Sequence, residues 1–197
     1  MCVRDRSIPV GRRRFIAKCG GRSPMNLKVA YCPFPDDDAL IEAAEQVVRS
    51  HNSQHMMDQF RNGVVVPGDG ALKDVYRFQQ LYIIAHGSSG AGGIYDDDGD
   101  ELSVDDLAQQ LLDQRLTTSI AKVKLFVCQG GAAGSSSTAR QLKAAMVSRG
   151  FNSVTVYGYM LFLSQGALTD DGHKLAASTP SMNAKIITGA KSVRQGW

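Results

Sequence analysis

The sequence predicts an α/β fold in which a mostly parallel central sheet carries helices on both faces, a three-layer sandwich. Three observations predict it. Short aliphatic runs alternate with stretches whose apolar residues recur at helical spacing. Runs such as Leu81-Tyr82-Ile83-Ile84-Ala85 are apolar at every position, as a strand buried on both faces must be. The 197 residues, 43 % apolar and 21 % charged, can fill one α/β core and fall outside disordered or collagen-like composition.

Taken in order, Leu27-Lys28-Val29-Ala30-Tyr31 reads as the first strand, stopped by Cys32-Pro33-Phe34-Pro35 because proline cannot continue a ladder. Asp36, Asp37 and Asp38 supply the cap and first-turn acids of a helix whose inner face holds Leu40, Ala44 and Val47 with Ile41 and Val48. Val64-Val65-Val66 predicts a short strand ended by Pro67-Gly68-Asp69-Gly70. After the strand over 81–85 comes His86-Gly87-Ser88-Ser89-Gly90. A hairpin over 93–102 follows, in which Asp98-Gly99 forms a two-residue turn. Ser103 caps the next helix, with Asp106 at the capping-box position and Val104, Leu107, Leu111 and Leu112 facing inward. Lys124-Leu125-Phe126-Val127-Cys128 reads as a strand, and Thr138–Arg149 as a helix closed by Gly150. Val154-Thr155-Val156-Tyr157-Gly158 and Lys185-Ile186-Ile187-Thr188 complete the strands of the sheet.

Charge is distributed unevenly. Residues 1–24 hold seven Lys and Arg against one acid, leaving fifteen basic and eighteen acidic residues in 25–197. The basic balance thus belongs to a tail, expected to be disordered, and a single domain is expected over 25–197. The mildly acidic body argues against nucleic-acid binding. No apolar run approaches the roughly 18 residues that span a bilayer, so no membrane partner is expected. Gly11-Arg12-Arg13-Arg14 has the look of a twin-arginine export signal, but no apolar stretch follows it. Cys2, Cys19, Cys32 and Cys128 are too few and too irregular for a disulfide framework, which favours a reducing, cytoplasmic setting.

In an open parallel sheet, reactive groups collect where strands end and loops begin. Two strands end in reactive side chains: Ile84-Ala85-His86-Gly87 and Phe126-Val127-Cys128-Gln129-Gly130. A right-handed crossover between them brings both ends to the same edge. As neighbours, about 4.8 Å apart, they would set an imidazole against a thiol. The thiolate is the nucleophile, and an unassisted thiol with pKa near ~8.5 needs a base to form it. The glycines after each residue leave backbone N–H groups open to a developing oxyanion.

On these residues the chain resembles the caspase-like (clan CD) cysteine peptidases, which include caspases, gingipains, legumains, clostripain and the self-cleaving domains of large bacterial toxins. Their shared signature is an apolar strand ending His-Gly and a second ending in Cys roughly 40–50 residues later; here the separation is 42. Cys128-Gln129-Gly130 fits the end of the caspase string Q-A-C-[RQG]-G, while Phe126-Val127 replaces its Gln-Ala. The hairpin after His-Gly, the helix start at Leu102, Ser103, Leu107 and Ala108, and Ser137-Thr138-Ala139 with Leu142 are nearer the toxin-type branch. The resemblance covers roughly residues 27–165 and implies a caspase/hemoglobinase-like sandwich and a cysteine endopeptidase acting on a protein or peptide substrate, self-processing included. It implies Cys128 as nucleophile, His86 as general acid/base, and the backbone N–H groups of Gly87 and Cys128 as the oxyanion hole. The family works as a dyad, so no third orienting residue is assigned, no cofactor is needed, and no motif here marks the specificity pocket.

Three alternatives accompany this reading. The fold is also compatible with a catalytically silent interaction domain. Gly130-Gly131-Ala132-Ala133-Gly134-Ser135 ahead of a helix has the outline of a phosphate- or nucleotide-binding loop, though it lacks the P-loop lysine. Cys32, His86 and Cys128 on one edge would offer metal ligands at a spacing that fits no standard site, and no metal is assigned. The run Asp96, Asp97, Asp98, Asp100 and Glu101 is read as a solvated hairpin, since Gly99 is misplaced for an EF-hand calcium loop. His51, His55 and His173 are expected on the surface.

Overall fold

Parallel strands cannot be joined by a tight turn, so a parallel sheet is built through crossovers, usually helical ones. The computed structural model describes residues 28–49, 63–76, 79–87, 92–160, 162–168, 174–177, 186–189 and 194–197, the backbone alone for 162–168, 174–177 and 186–189. The basic tail 1–24, His51, His55 and His173 lie outside the described residues. Strand β1, Lys28–Tyr31, leads through helix α1, Asp38–Arg49, to β2, Val64–Val65, which lies parallel beside it. On its other side β1 pairs in parallel with β3, Gln80–Ile84. A hairpin of β4, Gly93–Tyr95, and β5, Glu101–Ser103, then feeds helix α2, Val104–Asp113. Next come β6, Lys122–Phe126, parallel to β3; helix α3, Thr138–Ser148; and β7, Thr155–Tyr159, parallel to β6.

The expected α/β sandwich is present: a mostly parallel six-stranded sheet between helical layers. The period-two alternation of the strands decides which helix covers which face. Val29, Tyr31, Leu81, Ile83, Val123, Leu125 and Val156 point to one face and pack on Leu107 and Leu111 of α2 and Leu142 and Met146 of α3. Ala30, Tyr82, Ile84 and Phe126 point to the other and pack on Leu40, Ala44, Val47 and Val48 of α1. One buried cation shares the α1 face: Lys124 Nζ donates to Gln80 Oε1 at 2.6 Å and to the Tyr82 hydroxyl at 2.8 Å, which satisfies it in place of water.

Two expectations need correction. Ile186–Gly189 is β10, and it belongs not to the main sheet but to a separate antiparallel one with β8, Phe162–Leu168, and β9, Lys174–Ala177. The main sheet is completed instead by β11, Arg194–Gly196, antiparallel to β7, giving the order β11-β7-β6-β3-β1-β2. The chain from 160 to 185 has no helical apolar period to make another parallel crossover, and β propensity alone does not name a partner. The hairpin turn also differs. Gly99 N–H donates to the Asp96 carbonyl at 3.3 Å, so Asp97-Asp98 are the central turn residues, and Gly99 follows them at φ +86°. A tight turn followed by a left-handed glycine is the pattern of longer hairpin loops rather than the two-residue turn.

Caps fall as predicted. Ser103 Oγ accepts from Asp106 N–H at 3.1 Å, and Gly150 sits at φ +93° just beyond α3. No helix among the described residues is long and apolar enough to cross a membrane.

Candidate functional site

Two strand tips define the site. The register of β3 and β6 ends at Ile84 opposite Phe126, and two further residues along each chain are His86 and Cys128. Both therefore follow, by two residues, the carboxyl ends of adjacent central strands. By alternation both share the parity of Ile84 and Phe126, which is the α1 face. Cys128 is half-buried and packs against that cluster. The residues between them touch. A Cβ on Gly87 would stand 2.9 Å from Val127 Cγ2 and 3.3 Å from the Cys128 carbonyl oxygen, so only glycine lets the tips approach this closely.

His86 is held by the hairpin. Its N–H donates to the Tyr95 carbonyl at 2.9 Å and its carbonyl accepts from Tyr95 N–H at 3.1 Å, an isolated antiparallel bridge. Two residues on, at the turn, Asp97 places Oδ1 2.8 Å from His86 Nε2, with Asp37 Oδ2 at 4.0 Å. Asp37 is the pivot of this arrangement. Its Oδ1 accepts from Leu40 N–H at 2.8 Å and caps α1, while its Oδ2 accepts from Asp97 N–H at 3.0 Å. The Asp37 side chain is only 5 % exposed, whereas the Asp97 side chain is 63 % exposed. A buried helix-cap carboxylate thus holds the hairpin tip, and the hairpin tip sets a second carboxylate beside the imidazole.

The loop after Cys128 is shaped by its backbone. Gln129 lies at φ +53°, a left-handed conformation that costs a non-glycine residue energy and turns the chain sharply just past the thiol. Gly131 N–H then donates to the Tyr159 carbonyl at 2.9 Å, and a Cβ on Gly131 would stand 2.8 Å from the Gly158 carbonyl carbon. Backbone lies on backbone here. Ala132 N–H donates to the Gln129 carbonyl, and the Gly130 carbonyl accepts from Ala139 N–H at the start of α3. These donors serve the loop's own fold, and Ser137 caps α3 with Oγ 3.4 Å from Arg140 N. Within this loop the N–H groups of Gly131, Ala132, Ser136 and Ser137 are thus taken by backbone carbonyls. Of the two expected oxyanion donors, the Gly87 N–H has no backbone acceptor among the described residues.

Cys32 is placed differently from His86 and Cys128. It is fully buried, its thiol donates to the Phe34 carbonyl at 3.3 Å, and burial, with the Asp37 carboxylate nearby, pushes the thiol up to about 11. Among the described residues, Asp37, His86 and Asp97 bring one carboxylate or imidazole atom each within 4.8 Å of one another. The acidic hairpin is likewise more than a solvated face, since Asp97 turns onto the imidazole. Sequence reasoning missed Asp37 and Asp97 at this site. The signal for Asp97 was the hairpin directly after His86, whose first strand pairs back onto it.

Residues 33–169 match a family model described as Domain of unknown function (DUF8616). The chain belongs to that family. The DUF8616 match takes in α1, the hairpin, both strand tips and the loop after Cys128, so Asp37, His86, Asp97 and Cys128 all lie within it. A search of curated proteins found no match to this DUF8616 chain.

Proposed function

We propose that this DUF8616 domain is a caspase-like cysteine endopeptidase, nearest the toxin-type branch, that hydrolyses peptide bonds with Cys128 as nucleophile and His86 as general acid/base. The observation that supports it most is the parallel register that ends with Ile84 opposite Phe126, two residues before His86 and Cys128 on adjacent strands. With Nε2 beside the Asp97 carboxylate, Nδ1 is the nitrogen that takes the thiol proton. The thiolate attacks the scissile carbonyl carbon, and the oxyanion forms next to the N–H groups of Gly87 and Cys128. The imidazolium returns its proton to the leaving amine, the C–N bond breaks, and an acyl-enzyme thioester remains. Water, deprotonated by the same imidazole, then releases the acid and restores the thiol. The substrate is a protein or peptide, the chain's own segments included, in a cytoplasmic setting that keeps the thiol reduced.

The test is a positional peptide library digested by the full chain and by Cys128→Ala. The reading expects cleavage after one preferred residue, lost at least ~100-fold in the variant while its melting curve stays unchanged. Equal turnover by Cys128→Ala, or no cleavage of any library member by the folded wild type, would overturn it.

A further inference from the structure

We propose that Asp37, His86 and Asp97 form a binding site for a divalent transition-metal ion of the zinc class. The three come from three separate elements: the cap of α1, the tip of β3 and the turn between β4 and β5. Their ligand atoms converge within 4.8 Å of one another. The geometry around His86 points to more than a carboxylate–imidazole pair. Nε2 is buried and lies 2.8 Å from Asp97 Oδ1, yet it has no hydrogen-bond partner among the described residues. In a hydrogen bond the acceptor lies along the ring N–H axis. Around a metal ion the metal takes that axis, and a second ligand oxygen sits to one side of it. A close approach that is not a hydrogen bond fits two ligands of one ion.

Distances and chemistry agree. Zinc bonds of about 2.0–2.2 Å to nitrogen and oxygen put tetrahedral ligand atoms about 3.3 Å apart. Reaching that spacing asks the 2.8 Å contact to open and the 4.0 Å approach of Asp37 Oδ2 to close, each by a fraction of an ångström or so. The donor set also selects the ion. Calcium and magnesium take oxygen ligands, whereas an imidazole nitrogen beside carboxylates suits zinc and its neighbours. Three protein ligands leave a fourth position open, and the exposed Asp97 gives the ion a way in.

Binding has two consequences. It clamps the hairpin tip onto the start of α1. It also fixes the remaining ring proton on Nδ1, so His86 can no longer accept a proton from Cys128; this second consequence rests on the peptidase reading, while the site itself does not.

The experiment titrates the reduced, metal-free full chain calorimetrically with Zn²⁺ alone and, separately, with Ca²⁺ alone. It is repeated on Asp97→Asn, Asp37→Asn, His86→Gln and Cys128→Ala. Asparagine caps helices as well as aspartate, so Asp37→Asn keeps α1 intact, and the exposure of Asp97 makes Asp97→Asn benign to the fold. Expected are one Zn²⁺ equivalent removed or weakened at least ~10-fold in each of the first three variants, wild-type Zn²⁺ binding in Cys128→Ala, and weaker Ca²⁺ binding. Zn²⁺ binding indifferent to Asp97→Asn and Asp37→Asn, Zn²⁺ binding lost in Cys128→Ala, or a preference for Ca²⁺ would each overturn the proposal. Peptide cleavage by the metal-free chain is read separately, so failure of the metal site and failure of the peptidase reading are told apart.

Discussion

Cys32 and Cys128 both follow buried parallel strands near one sheet edge, yet they are chemically opposed. Cys32 is sealed in the α1-side core, where loss of hydration disfavours the thiolate and raises its pKa to about 11. Cys128 is half-buried beside a histidine strand tip. Because an unfolded cysteine ionises near ~8.5, the folded chain holds the Cys32 proton over a pH range where the unfolded chain has lost it. That group therefore subtracts stability as pH rises from the unfolded pKa toward about 11. Alkylation of Cys32 in the folded protein should be negligible at neutral pH and climb only toward about 11, as read by peptide mass spectrometry across a pH series. A plateau near pH 9 would show a thiol without this burial penalty. The roles of these residues were only partly legible in the sequence. A cysteine at a strand end is visible as such, but whether core closes over it depends on Leu40 and its neighbours in α1.

The loop between β6 and α3 is held by contact of backbone with backbone, and two glycines make that possible. A Cβ on Gly158 would lie 2.6 Å from the Gly131 nitrogen, 2.7 Å from its Cα and 2.8 Å from Ala139 Cβ. None of these is the end of a flexible side chain, so Gly158→Ala must push the Cys128 loop off β7. The expected cost is about 1–3 kcal/mol in denaturant unfolding, together with a loss of peptide cleavage. Full stability and cleavage in this variant would show that the loop is not seated on β7 as described. Helix boundaries were readable because their signals are local: Ser103 with Asp106, and Gly150 after α3, each lie within a few residues of what they cap. The second sheet was not, because among the described residues β8, β9 and β10 pair with one another and extended propensity does not specify a partner.

The chain folds so that three elements meet at one edge of the main sheet, and this convergence gives the site its character. The α/β class and the adjacency of the two strands that lead to His86 and Cys128 were legible, because alternating buried strands and helices leave few topologies and crossover handedness sends successive strand ends the same way. The carboxylates were not. Asp37 and Asp97 are 60 residues apart, and their meeting depends on a hydrogen bond between a helix cap and a hairpin turn. Asp36, Asp37 and Asp38 together signal a cap, and Asp37 provides it, but the second oxygen of a cap carboxylate has no sequence signature. The central claim is that His86 activates Cys128 across the two strand tips, and the rate of iodoacetamide alkylation at Cys128 in wild type and His86→Ala tests it most directly. Cys32 serves as the internal reference, and the change on mutation is decisive because exposure alone already makes Cys128 the faster of the two. The account predicts that His86→Ala slows Cys128 at neutral pH by about tenfold or more and leaves Cys32 unchanged. An identical Cys128 rate in the two proteins would contradict it.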